Sequence, residues 1–148
     1  MKKIMDEKDY GIVAALHKGA KTPFRKISKR VHMSESAVRK RVKRLEHLGV
    51  IERYTIIVNP SKLGYDTMAV VGLDVSPEKH EEVIEKLANL EEVKKLSTST
   101  GKFMIMSTVW AHDNKELTDI ILRKIGGIEG VKKTHPSIIL ERRIKDVC

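Results

Sequence analysis

Cysteine is almost missing from this 148-residue chain, and the single one, Cys148, is its last residue. Neither an internal disulfide framework nor a cysteine-based metal site can be built from it. Long apolar runs are missing too; none approaches the roughly 18 residues that a membrane-spanning helix needs. The opening MKKIMDEKDY carries two lysines, but acids follow where a signal peptide would have its apolar core. The six histidines are dispersed without a His-x-x-x-His pair, so no metal site is expected. There is also no Gly-x-x-x-x-Gly-Lys-Ser/Thr phosphate loop and no Gly-x-Ser-x-Gly elbow. Ser97 to Thr100 offer hydroxyls with no evident base, and Glu91-Glu92 read as a solvated helix end. The expectation is a cytoplasmic, non-enzymatic protein with no cofactor, large enough for one ordinary domain or two small ones.

Charge is abundant but unevenly placed. Residues 1–60 carry 15 Lys+Arg against 6 Asp+Glu, whereas residues 61–148 carry 14 of each. The whole excess of +9 therefore sits in the first two-fifths of the chain. A solvated surface needs no such partition, but a polyanion partner does, because cations that neutralise phosphates release condensed counterions.

Three short helices can be read in that basic part. Asp6 is an N-cap for the first, whose apolar side is Tyr10, Val13 and Leu16 with Ile12 beside them. Gly19 ends it in an expected left-handed conformation. Thr22 caps the second, with Pro23 at the first helical position and Phe24, Ile27 and Val31 on one side. Ser34 caps the third, where Val38, Val42, Leu45 and Gly49 form a narrow stripe at spacings of four, three and four. At about 100° per residue, Ser36, Lys40, Lys43, Arg44 and His47 lie on the opposite side.

Only His32 and Met33 separate the second helix from the third. Two short helices, a tight turn and a basic second helix make a helix-turn-helix. Ser36 and Ala37 are small enough for a close approach to the groove floor. Arg39 or Lys40 suits guanine O6 and N7, Lys43 suits a phosphate, and Arg44 is a further DNA-contact candidate. Thr22 and Arg25 lie at the start of the second helix, which can offer backbone N–H groups to a phosphate, and Ser34 is a further DNA-contact candidate. His32 stands where this turn usually has glycine, although histidine tolerates positive φ better than most residues.

Residues 50–58, VIERYTIIV, read as a strand that must pair outside its own segment, with its copy in a second chain as one option. The domain reading is a DNA-binding unit over 1–50, a strand and linker over 51–64, and an oligomerisation and effector unit over 65–148. In the last, strands over 66–75, 92–98, 102–110 and 131–142 alternate with two helices as βαββαβ. The fold class is α+β, with a ferredoxin-like second unit. MAVVGL at 68–73, FMIM at 103–106 and IIL at 138–140 put apolar side chains on both faces of the sheet. A second subunit is expected to cover the face opposite the helices.

The stretches ISKRVHMSESAVRKRVKRLEHLGVI, ERYTIIVNPSKLGY and TGKFMIM resemble the Lrp/AsnC, or feast/famine, regulators of bacteria and archaea. The resemblance implies a transcription regulator that binds double-stranded DNA, forms homodimers and associates further, often into octamers. It also implies an amino acid or related metabolite as effector, held near Thr100, Gly101, Lys102, Phe103 and Met104. The family commonly has an acidic residue after the glycine and another two positions later. Lys102 and Met104 occupy those positions, which leaves an anionic effector, or none, open. An architectural DNA-coating protein and a tetrapyrrole decarboxylase are alternatives. The basic first segment argues against the second.

Overall fold

The computed structural model describes residues 4–143, so Cys148 lies outside the described residues. They form two compact units, one reaching to Ile57 and one covering Val58–Arg142. The first contains α1 (Glu7–Lys18), α2 (Phe24–Val31) and α3 (Glu35–His47). Their core is Ile12, Ala15, Leu16, Ile27, Val31, Val38, Val42 and Leu45. The α3 stripe read from spacing is buried at Val38, Val42 and Leu45, whereas Gly49 lies past the helix end and is exposed. On α1 the buried side runs through Asp9, Ile12, Ala15 and Leu16, and Tyr10 is exposed instead. The expected apolar face was one residue out of register, because the buried position in the first turn is held by a carboxylate.

Helix boundaries follow from the caps. Asp6 accepts from the Asp9 N–H at 2.9 Å while its own N–H donates to Asp9, a reciprocal capping box. Thr22 is not the cap of α2; Pro23 is, and its carbonyl accepts from Lys26 and Ile27. The helix therefore starts one residue later than expected. Gly19 is extended, with φ −165, so the left-handed ending expected there does not occur. His32 does take the left-handed conformation, with φ 52 and ψ 55. That geometry strains a side chain with a Cβ. His32→Gly is expected to raise stability by roughly 0.5 kcal/mol, the relief of strain less glycine's entropy. A urea midpoint that falls would show that the imidazole compensates for the strain.

The strand expected over 50–58 is not formed within the chain. Val50 and Ile51 pack on the first unit's core, and residues 52–59 have no regular structure. A strand requires a ladder partner, and the described residues offer this segment none. Ile56 and Ile57 are left exposed, while Tyr54 donates to Glu46 of α3 at 2.6 Å.

The second unit runs β1 (Thr67–Val75), α4 (His80–Ala88), β2 (Val93–Thr98), β3 (Ile105–Ala111), α5 (Asn114–Asp119) and β4 (Val131–Ile138). Its antiparallel sheet has the order β2-β3-β1-β4, the ferredoxin-like arrangement. Both helices cover one face. Ala69, Val71, Leu73, Val75, Ile105 and Val109 meet Val83 and Leu87 of α4 and Leu117 of α5 there. After Asp119 the helix widens into a π turn, Ile120–Ile125, which buries Ile120, Ile121 and Ile125. The outer strands are lysine-rich, with exposed Lys94 and Lys95 on β2 and Lys132 and Lys133 on β4.

The expected strands were too long at two ends. Residues 102–104 belong to a turn closed by Ser99 N–H donating to the Met104 carbonyl at 3.0 Å. The last strand stops at Ile138, and Leu140 is almost fully exposed. On the face away from the helices lie Met68, Val70 and Gly72 of β1, paired with Trp110, Thr108 and Met106 of β3. Phe103 folds onto this face over Gly72, where an added Cβ would come within 2.5 Å of its ring. Its ring also contacts His135 of β4, with centroids 4.7 Å apart.

Candidate nucleic-acid interface

Residues α2, His32-Met33 and α3 form a helix-turn-helix. Ser34 fixes where α3 starts: its hydroxyl accepts from the Ala37 N–H at 3.2 Å and meets the Ser36 hydroxyl at 3.1 Å. Ser34 is therefore engaged in capping, whereas Ser36 is exposed and Ala37 half-buried beside it. Lys40 and Lys43 are exposed, with no side-chain partner among the described residues. Arg39 is exposed but held: it pairs with Glu35 at 3.6 Å and lies over the Phe24 ring at 5.0 Å. Thr22 is half-buried next to Gly19, and Arg25 is exposed at the start of α2.

Arg44 faces elsewhere. Its guanidinium donates to Asp9 of α1, and Arg41, one turn earlier, donates to Asp9 at 2.8 Å and to Asp6 at 2.6 Å. The Asp9 side chain is only 1% exposed, so α3 is bolted to α1 by a carboxylate inside the fold. Burial pushes the Asp9 carboxyl up. The Asp6 N–H and the two guanidinium groups more than offset that, leaving its pKa at about 2. Sequence reading missed this cluster. Asp9 at three residues after a capping Asp was its one signal, and Arg41 was passed over because it falls between the buried stripe and the outer face.

The effector residues proposed from resemblance are not equivalent in place. Thr100, Gly101 and Lys102 are exposed at the turn. Met104 packs partly buried against the second unit's core, and Phe103 lies over Gly72. The Lys102 ammonium sits 5.4 Å from the centre of the Phe103 ring. Gly101 meets only the Ser99 hydroxyl, at 3.9 Å, so this turn does not itself demand a glycine. Among the described residues no three metal-ligating side chains converge, and no helix is long and apolar enough to cross a membrane.

Comparison with known proteins agrees with this geometry. Residues 5–46 match the AsnC-type helix-turn-helix domain, and residues 68–147 match the Lrp/AsnC ligand binding domain. The HTH-type transcriptional regulator LrpA of Pyrococcus horikoshii is 52% identical over 139 residues, covering 94% of this chain and 99% of that protein. The HTH-type transcriptional regulator FL11 of Pyrococcus furiosus is 36% identical, with 95% and 93% covered. The structure of E. coli AsnC superimposes with a TM-score of 0.85 at 28% identity, with 95% of each chain covered. These relatives are regulators, not enzymes. The chain belongs to the Lrp/AsnC family of helix-turn-helix transcriptional regulators.

Proposed function

We propose that this chain reads a specific DNA sequence as a homodimer, acts in the cytoplasm, and responds to a small effector at its second unit. The observation that carries the reading is the division of labour on α3. Arg41 and Arg44 are spent on Asp9, while Ser36, Lys40 and Lys43 face outward with Arg39 tethered at the edge. Base readout is assigned to Arg39 and Lys40, close approach to Ser36 and Ala37, and phosphate contact to Lys43 with Thr22 and Arg25. Ser34 sets the helix start. Arg44 reaches phosphate only if it leaves Asp9.

The dimer follows from the sheet face carrying Met68, Val70, Met106 and Trp110, which the chain's own helices do not cover. Two such faces stack symmetrically, and the exposed 52–57 segments pair between copies. Dimers then associate further, up to an octamer. Residues 1–50 bind DNA, 51–64 connect, and 65–148 carry assembly and effector response. Thr100, Gly101 and Lys102 are the exposed contacts there, and Lys102 favours a ligand carboxylate.

Selection from random duplexes at near-physiological salt tests the reading. Enrichment of a palindrome with half-sites about one helical turn apart is expected. Arg39→Ala or Lys40→Ala should relax preference at individual bases, at about 1–3 kcal/mol per lost contact. Lys43→Ala should weaken all sequences alike. Binding without any enrichment would replace specific regulation with an architectural coat.

A further inference from the structure

We infer that Phe24 and Glu35 are positioning residues for base readout: they hold the Arg39 guanidinium in one plane and leave its hydrogen-bonding edge free for a guanine. The inference deepens the regulator reading and rests on it. Arg39 lies on the flank of α3, roughly 90° round the helix from the middle of the buried stripe. An unsupported arginine there sweeps a wide arc, and fixing so long a side chain on binding costs rotamer entropy. The structure supplies support from two sides. The guanidinium carbon lies 5.0 Å from the centre of the ring of Phe24, the first residue of α2. Phe24 is itself held, half-buried against the first unit's core. Glu35, one turn earlier on α3, comes within 3.6 Å of Nη2.

The kind of contact decides what Arg39 can still do. Cation–π attraction acts on the face of the guanidinium, whereas its N–H groups point outward in the plane. The distance to Glu35 is too long for a hydrogen bond, so the carboxylate attracts the charge without taking a donor. Among the described residues Arg39 therefore keeps its N–H groups unspent. The other two arginines of α3, Arg41 and Arg44, donate to Asp9. Lys40 and Lys43 are exposed without such a mount, and each offers a rotating ammonium in place of a planar fork. A fork fixed in plane with a free edge is what bidentate donation to guanine O6 and N7 requires.

Both supports do more than pack. A leucine at position 24 would fill the same half-buried place without offering a ring face. Glu35 is the one acid in the first three turns of α3, and α2 has none. A carboxylate on that side repels phosphate, and drawing Arg39 toward the ring gives it a use. Glu35 also suits the helix N-terminus on its own account, so Phe24 carries the decisive test.

That test is a double-mutant cycle on base preference in the full-length protein. Site selection first finds the base pair at which Arg39→Ala loses discrimination. Affinities for the selected duplex and for its single change at that pair then give a discrimination ratio. The ratio is measured for wild type, Phe24→Leu, Phe24→Tyr, Arg39→Ala and the Phe24→Leu/Arg39→Ala double variant. An exposed cation–π contact corresponds to about a two- to fivefold effect, and Phe24→Leu should lower the ratio by that factor. Phe24→Tyr keeps a ring face and should retain the ratio. Where Arg39 is already alanine, Phe24→Leu should change nothing further. Neither change at position 24 alters charge, so affinity for unrelated duplex should stay at the wild-type value. An unchanged ratio in Phe24→Leu overturns the proposal. An equal fall in the Arg39→Ala background does so too, since Phe24 would then act only through the fold. A selected site at which no base pair responds to Arg39→Ala also overturns it, but leaves the regulator reading standing. A wild type that selects no site overturns both.

Discussion

Asp9→Ala should destabilise the N-terminal unit by about 2–3 kcal/mol, the scale of hydrogen bonds lost between charged groups in a buried setting. Among the described residues the carboxylate is the only acceptor shared by Arg41 and Arg44, and it also closes the capping box with Asp6. Its removal therefore takes the first turn of α1 and the mounting of α3 together. The same group sets an acid limit. Its folded pKa of about 2 lies below the ordinary value of 3.8. Its stabilisation is thus complete above about pH 4 and is lost as the pH falls from 4 toward 2. The variant should lack that part of the acid dependence.

DNA binding provides a second readout. With Asp9 gone, Arg44 is free to reach phosphates while α3 loses its anchor, so non-specific affinity should hold or rise as specific affinity falls. A narrowed ratio of specific to non-specific binding is the expected signature. A urea midpoint and a ratio equal to the wild type would show that the two ion pairs neither brace the unit nor aim the helix.

Val70→Glu should convert the proposed dimer to single chains of 16.8 kDa. Val70 is half-buried at the centre of the sheet face that the helices leave uncovered, opposite Thr108 on β3 and Ser137 on β4. A carboxylate pressed against its symmetry mate cannot keep its water and has no cation to meet. The substitution points away from the chain's own core, so the helical signal and the melting of the isolated unit should survive. Light scattering reads the mass directly. Loss of two-armed attachment should lower affinity for a palindrome by about 10²–10⁴, while a single half-site is bound as before. An unchanged mass would move the interface off this face.

What could be read from residues alone was what periodicity and caps encode. Val38, Val42 and Leu45 gave the buried stripe of α3, Asp6 and Ser34 gave the starts of α1 and α3, and the strand and helix order gave the second unit. Failures occurred where a side chain acts against its type. Asp9 is a carboxylate in a core position, and this displaced the expected face of α1 onto exposed Tyr10. Residues 50–58 are rich in strand formers, but strand propensity reflects a partner surface that one chain does not supply. The turn at 99–104 looked like strand because Phe103 and Met104 are apolar. They are apolar for packing on Gly72 and the core, and not for pairing. The π turn has no periodic signature distinct from an ordinary helix end. The division of the α3 cations into bound and unbound was equally hidden, since sequence spacing alone does not say which arginines face α1.

The lysines on the two outer strands bear on a hazard specific to proteins that crowd along a polymer. Many copies held side by side reach local concentrations at which any bare strand edge could capture a neighbour and seed fibrous growth. Lys94 and Lys95 at one border of the sheet and Lys132 and Lys133 at the other place like charge on like whenever two borders meet. Contact between molecules is thereby diverted from the rims of the sheet, where it could propagate without end, toward its flat face, where the proposed symmetric pair would close and stop.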